Sequence, residues 1–285
     1  MYFKPNLRYN KHMRKRWLII ALILAVMLCL SIYHFLGEES HAPSAGSATS
    51  SDQKAEPVDE TIMLVLPNAD PIVAIEEDYN ASNSLWVVVN KDHPLASQDY
   101  RPDDLILIED SRTDKSNDER SLRQIVVDDF NAMLKDASTA GYDLIVGSGF
   151  RSYDLQNVYY SSYVRNSGQE QADKYSAKPG YSEHQTGLVA DVSLQSMECY
   201  LSKCFGDTDA GKWIADNAAD YGFIVRYPAD KAEITKYQYE PWHLRYVGKD
   251  LARALTQSGL TLDEAYHYLQ ETRTKLISAN KITSE

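Results

Sequence analysis

Between Leu122 and Ala137 apolar residues recur at helical spacing: Leu122, Ile125, Val126, Phe130, Met133, Leu134 and Ala137 share one face, and Gly141 supplies a stop. Tyr142–Val146 is short and apolar, and it reads as a buried strand running into Gly147-Ser148-Gly149. The tyrosine-rich stretch Tyr153–Val164 predicts a second helix, Leu188–Leu194 a strand, Gly211–Tyr221 a helix, and Phe223–Tyr227 a strand ended by Pro228. Two more helices are predicted around Val247–Gln257 and Leu262–Thr272. Upstream, Leu85–Val89 is a short run rich in β-branched residues ahead of the turn-forming Asn90-Lys91-Asp92-His93-Pro94, and it too reads as a strand. Helices and strands follow one another without a regular strand–helix–strand rhythm. The prediction is therefore an α+β fold, a compact single domain with a small antiparallel sheet flanked by helices.

The N-terminal region has a different texture. Residues 17–36, WLIIALILAVMLCLSIYHFL, contain no formally charged side chain, and about 20 apolar residues in a helix cross a bilayer core. Lys4, Arg8, Lys11, Arg14, Lys15 and Arg16 precede the run, and no Lys or Arg follows until Lys54. The positive-inside rule then predicts a cytoplasmic basic tail over 1–16, a transmembrane anchor over 17–36, and the rest of the chain outside the cell membrane. A cleaved signal peptide is the competing reading, but Ala42-Pro43-Ser44 and Ala45-Gly46-Ser47 match a cleavage site only loosely. Residues 37–60 are small, polar and acidic, and they read as a flexible linker. The predicted domain occupies 61–285, with its core over about 85–270.

Charge narrows the partners. Beyond residue 36 the chain carries 23 basic and 41 acidic side chains, a net of −18. So acidic a surface disfavours nucleic acid. Of the three cysteines, Cys29 lies inside the apolar run, whereas Cys199 and Cys204 bracket a short loop in the exported part. Their spacing is wider than that of usual metal pairs, so a disulfide is favoured over free thiols.

Of the seven histidines, His184 and His243 stand out. His184 follows the turn Pro179-Gly180-Tyr181-Ser182-Glu183, with Asp191 seven positions on, and His243 closes Glu240-Pro241-Trp242-His243. Two imidazoles and one carboxylate are the ligand set of a hydrolytic zinc, which keeps one position for water and lowers its pKa to about 7. Such a site needs a base that does not itself bind the metal, and Glu240 is the natural candidate. Each pair alone is a weak signal, since spacing does not show that the two segments meet.

Together with the upstream SGFRSYDLQ (Ser148–Gln156), the segments SEHQTGLVAD and EPWH resemble the D-alanyl-D-alanine carboxypeptidase family of zinc peptidases, which includes VanY-type D,D-carboxypeptidases and LdcB-type L,D-carboxypeptidases. The similarity runs from about Leu85 to Leu269, and the three motifs occur in order. It implies that His184, Asp191 and His243 bind Zn2+, that Glu240 is the catalytic base, and that Arg151 and Gln156 meet the substrate. One departure is Val189, where the family pattern often reads Ala; it puts no ligand in doubt.

The chemistry of the side chains fits those roles. A guanidinium at Arg151 suits either a terminal carboxylate or the oxyanion formed on the scissile carbonyl. Ser182 and Gln156 are neutral hydrogen-bonding groups suited to the same carboxylate, and Trp242 is expected to wall the pocket. The expected activity is removal of C-terminal D-alanine from peptidoglycan stem peptides or lipid-linked precursors by D,D-cleavage. Alternatives are L,D-cleavage of tetrapeptide stems, with the same machinery, and a non-catalytic peptidoglycan-binding or sensory domain, which would have no need of a base.

Overall fold

The computed structural model describes residues 61–284. The basic tail, the apolar run 17–36 and the linker predicted over 37–60 lie outside these residues; among the described residues no helix is long and apolar enough to cross a membrane. In chain order the strands are β1 (Met63–Leu64), β2 (Ile72–Val73), β3 (Leu105–Leu107), β4 (Ser121–Arg123), β5 (Leu144–Ser148), β6 (Val189–Leu194), β7 (Phe223–Tyr227) and β8 (Glu240–Tyr246). The helices are α1 (Gln124–Thr139), α2 (Tyr153–Ser167), α3 (Gln169–Tyr175), α4 (Asp209–Asn217), α5 (Ala232–Thr235), α6 (Lys249–Ser258) and α7 (Leu262–Ser278).

Strands β5, β6, β8 and β7 form, in that order, one antiparallel sheet, and two short hairpins, β1–β2 and β3–β4, stand beside it. Pleating sends alternate residues to opposite faces. Val146, Ala190, Val192 and Leu244 pack against Val126, Phe130, Met133 and Leu134 of α1, which confirms the helical periodicity seen there. Phe130 is fully buried, and its truncation to Ala is expected to cost about 3–5 kcal/mol. Asp191 and His243, at the alternate positions, are turned away from this core.

The helix boundary moves by two residues for a tertiary reason: Leu122 belongs to β4, opposite Ile106, so α1 begins only at Gln124. A second core gathers α6, α7 and the segment 64–88, with Leu64, Tyr79, Trp86, Leu251 and Leu269 all buried. Helix α7 is fixed at its start by a capping box between Thr261 and Glu264.

The strand expected at Leu85–Val89 does not form. Its backbone satisfies itself otherwise: the carbonyls of Leu85 and Val87 accept from the buried guanidinium of Arg245, at 3.1 and 2.9 Å, and the Trp86 indole N–H donates to the Val247 carbonyl. Because Val87 and Val89 are buried, the run has strand-like composition, but its carbonyls are taken by a side chain and not by a ladder.

Candidate active site and metal centre

Sheet register assembles most of the site. Asp191 of β6 lies directly opposite His243 of β8, and Ser148 of β5 lies opposite Asp191 on its other side, so one polar row crosses three strands. His184 reaches this row from a one-turn 3-10 helix, Glu183–Thr186, that ends at Gly187. Gly187 adopts φ +69°, and an added Cβ would come within 2.8 Å of Arg123 Cγ. Only glycine turns the chain into β6 there without strain.

One ligand atom from each of His184, Asp191 and His243 falls within 4.8 Å of the others, and all three residues are buried. His184 Nδ1 is 2.7 Å from the Gly149 carbonyl, which fixes the proton on that nitrogen and leaves Nε2 facing Asp191 Oδ2 at 3.3 Å. His243 presents Nδ1 to Asp191 Oδ1 and to Glu240 Oε2, each at 3.4 Å. Asp191 Oδ1 is buried and accepts no hydrogen bond. A buried acceptor without a donor, ringed by two imidazoles, is what a divalent cation would satisfy, so the residues fit a zinc ion.

The two histidines are charged differently. Burial and the neighbouring Arg151 push the pKa of His184 down, which keeps it a neutral donor. Burial acts in the same direction on His243, but the carboxylates of Glu183, Glu240 and Asp191 outweigh it and raise its pKa to about 9. Burial raises the Asp191 pKa, yet His184, His243 and Arg151 overcome it and hold that carboxyl below its ordinary range.

The triad opens into a cavity of about 300 Å³ that Arg151, Gln156, Ser182, Glu240 and Trp242 also line. Every predicted site residue is thus brought to one place. Arg151 Nη1 donates to Gln156 Oε1 at 2.9 Å and Nη2 to Ser148 Oγ at 3.1 Å, while Nη2 stays 3.9 Å from Asp191 Oδ2. Gln156 is 1% exposed, and its amide nitrogen donates to the Ala177 carbonyl at 2.7 Å. Both ends of the Gln156 amide are thus engaged inside the protein, the oxygen by Arg151 and the nitrogen by Ala177. The Tyr227 ring lies tilted against His243, centroids 4.7 Å apart, and the Tyr237 ring lies 4.4 Å from that of Tyr227.

The chain is similar to known proteins over the region that holds this site. Residues 119–249 match the family model described as VanY: D-alanyl-D-alanine carboxypeptidase. A Bacillus subtilis relative, YodJ, named as a carboxypeptidase, is 43% identical over 69% of this chain and 72% of its own. The chain belongs to the VanY family of D-alanyl-D-alanine carboxypeptidases. Among solved structures, the LdcB LD-carboxypeptidase, described with its basis of peptidoglycan recognition, superposes with a TM-score of 0.62 at 41% identity, covering 66% of this chain and 87% of its own. A mutant of the vancomycin-resistance D,D-pentapeptidase VanY, solved in complex with Zn(II), gives a TM-score of 0.53 at 27% identity, covering 65% and 98%.

This VanY-family site contains three residues that the sequence reading passed over. Glu183 is fully buried, and its Oε1 accepts from Arg226 Nε at 2.9 Å and Arg245 Nη1 at 3.0 Å. Both arginines are completely buried as well. A Glu next to a candidate ligand was the available signal; two arginines at alternate positions of apolar strands were the other. Cys199 and Cys204 are joined in a disulfide, and the loop they close contributes Leu201 and Lys203 to the cavity rim. His93 and His267 lie elsewhere, against Tyr266 and Tyr268.

Proposed function

We propose that the chain is a zinc-dependent D,D-carboxypeptidase that releases the C-terminal D-alanine from peptidoglycan stem peptides or their lipid-linked precursors. The observation that carries this reading is the convergence of His184, Asp191 and His243 within 4.8 Å, with Glu240 beside them and Arg151 in the same cavity. Zinc held by those three residues supplies the positive charge that polarises the scissile carbonyl and acidifies the attacking water. Glu240 then accepts the water's proton and returns it to the departing amine. Arg151, kept in place by Gln156 and Ser148, offers its guanidinium to the terminal carboxylate or to the oxyanion, and Ser182 adds a neutral hydrogen bond. Trp242, Tyr227 and Tyr237 wall the cavity.

The anchored, extracytoplasmic arrangement is part of this proposal. The apolar run 17–36 behind a basic tail supports it, and so does the Cys199–Cys204 disulfide, which belongs in an oxidising compartment. The likeness to LdcB, higher in identity and TM-score than that to the VanY structure, favours a second reading in which the residue before the cut is an L-centre. Incubating the protein with defined pentapeptide and tetrapeptide stems and weighing the products separates the two. D-alanine release from the pentapeptide alone supports D,D-cleavage, and release from the tetrapeptide alone overturns it. No release from either, with zinc bound, would indicate a non-catalytic binding domain.

A further inference from the structure

Glu183 precedes His184 in sequence, yet its carboxylate faces His243. One oxygen, Oε1, is engaged by the two arginines; the other, Oε2, is buried, accepts no hydrogen bond, and lies 3.6 Å from His243 Nε2. His243 Nε2 is itself buried and unpaired. These two orphaned atoms face one another, and a small closure of the gap would satisfy both. Nδ1, on the other side of the ring, is turned to Asp191 and Glu240.

A neutral imidazole carries one N–H, so ligation through Nδ1 requires the proton to sit on Nε2. His184 solves the mirror-image problem with the Gly149 carbonyl, which holds its proton on Nδ1. His243 has no carbonyl in that position. Its counterpart is Glu183, whose Oε1 is held by the two guanidinium groups so that Oε2, an acceptor, faces Nε2. The clamp is anchored at both ends: Arg226 is also paired with Asp263 at the start of α7, and Arg245 with the carbonyls of Leu85 and Val87.

We infer that Glu183 is the positioning residue of the metal centre, holding the His243 proton on Nε2 so that Nδ1 stays open to zinc. This rests on the zinc reading above. A role confined to neutralising Arg226 and Arg245 is distinguishable from it, because that role concerns folding and not metal. In Glu183→Gln the amide oxygen is the only acceptor that residue 183 still offers the two arginines. The amide nitrogen must then face His243, where it donates to Nε2 and drives the ring proton onto Nδ1.

The test measures zinc affinity of purified proteins by competition with a chromogenic chelator, beside thermal unfolding. Glu183→Gln is expected to bind zinc about 10–100-fold more weakly. Asp263→Asn, which removes the other partner of Arg226, is expected to lower the unfolding temperature with zinc affinity unchanged. Wild-type zinc affinity in a folded Glu183→Gln protein would overturn the inference. If that variant does not fold, the wild-type protein decides: nitrogen-15 histidine spectra of the zinc-loaded form should show His243 with Nδ1 on the metal and a proton on Nε2, and ligation through Nε2 would overturn it. Failure of the wild-type protein to bind zinc at all would instead remove the proposed function, and this inference with it.

Discussion

The two flanks of the cavity carry opposite charge although each contains one of the two histidines. On the flank of Ser148–Gln156, His184 leans on a backbone carbonyl and sits beside Arg151, which with burial pushes its pKa down. On the β8 flank, His243 stands among Glu183, Glu240 and Asp191, which raise its pKa to about 9 against the effect of burial. Identical side chains thus acquire different proton affinities from their neighbours. Under the proposed function the difference would sort the reaction: a substrate carboxylate or oxyanion would find its cation on one side, and the water's proton its acceptor on the other.

Removing the acceptor of the second flank should have the largest effect. Glu240→Ala is expected to lower kcat by about 10²–10⁴-fold while zinc content stays at the wild-type level. Near-normal turnover with zinc in place would assign the base to another residue. Next comes the cation of the first flank. Arg151→Ala is expected to reduce kcat/KM by about 10²–10³-fold, and Arg151→Lys should not restore it, since Nη1 and Nη2 are held separately by Gln156 and Ser148. The split sharpens the comparison: loss confined to KM assigns Arg151 to the terminal carboxylate, and loss in kcat assigns it to the oxyanion.

How much of this contrast could be read without coordinates depends on how local each part is. The periodicity of Val126–Ala137 and the run Phe223–Tyr227 are local, and both elements form where expected. The gathering of His184, Asp191 and His243 was legible because three short motifs occur together, although the cross-strand pairing of Asp191 with His243 was not. The run Leu85–Val89 misled because its composition is that of a strand, whereas the fate of its carbonyls depends on Arg245, some 160 residues away. Glu183, Arg226 and Arg245 were missed for a related reason: charged side chains are expected at the surface, and only long-range pairing permits their complete burial.

A third expectation concerns pH. Metal-free His243 keeps its proton up to about pH 9, and a zinc ion must displace it. Zinc affinity should therefore climb about tenfold per pH unit toward pH 9 and then level off. The metal-free fold behaves in the opposite sense. Because the folded-state pKa lies above the ordinary 6.5, the stabilisation from protonated His243 is complete below pH 6.5 and is lost as the pH rises to about 9. Unfolding temperatures of chelator-treated protein across that range check the sign, and a midpoint that rises with pH would contradict it.

The smallest effect is expected at the rim, where neither flank's charges act. The Cys199–Cys204 bond closes a loop of only four intervening residues, so it restrains little of the unfolded chain, and its loss should cost less than the ~3 kcal/mol expected of a 15-residue loop. Its local consequence is larger, because Leu201 and Lys203 lie inside that loop and line the cavity. Replacing both cysteines by serine leaves the triad, Glu240 and Arg151 untouched. The expected result is a KM raised several-fold with kcat and zinc affinity unchanged, since loop ordering of about 0.5–1.5 kcal/mol per side chain is then charged to substrate binding. A fall in kcat would mean that the rim, and not only the two charged flanks, helps align the reacting atoms.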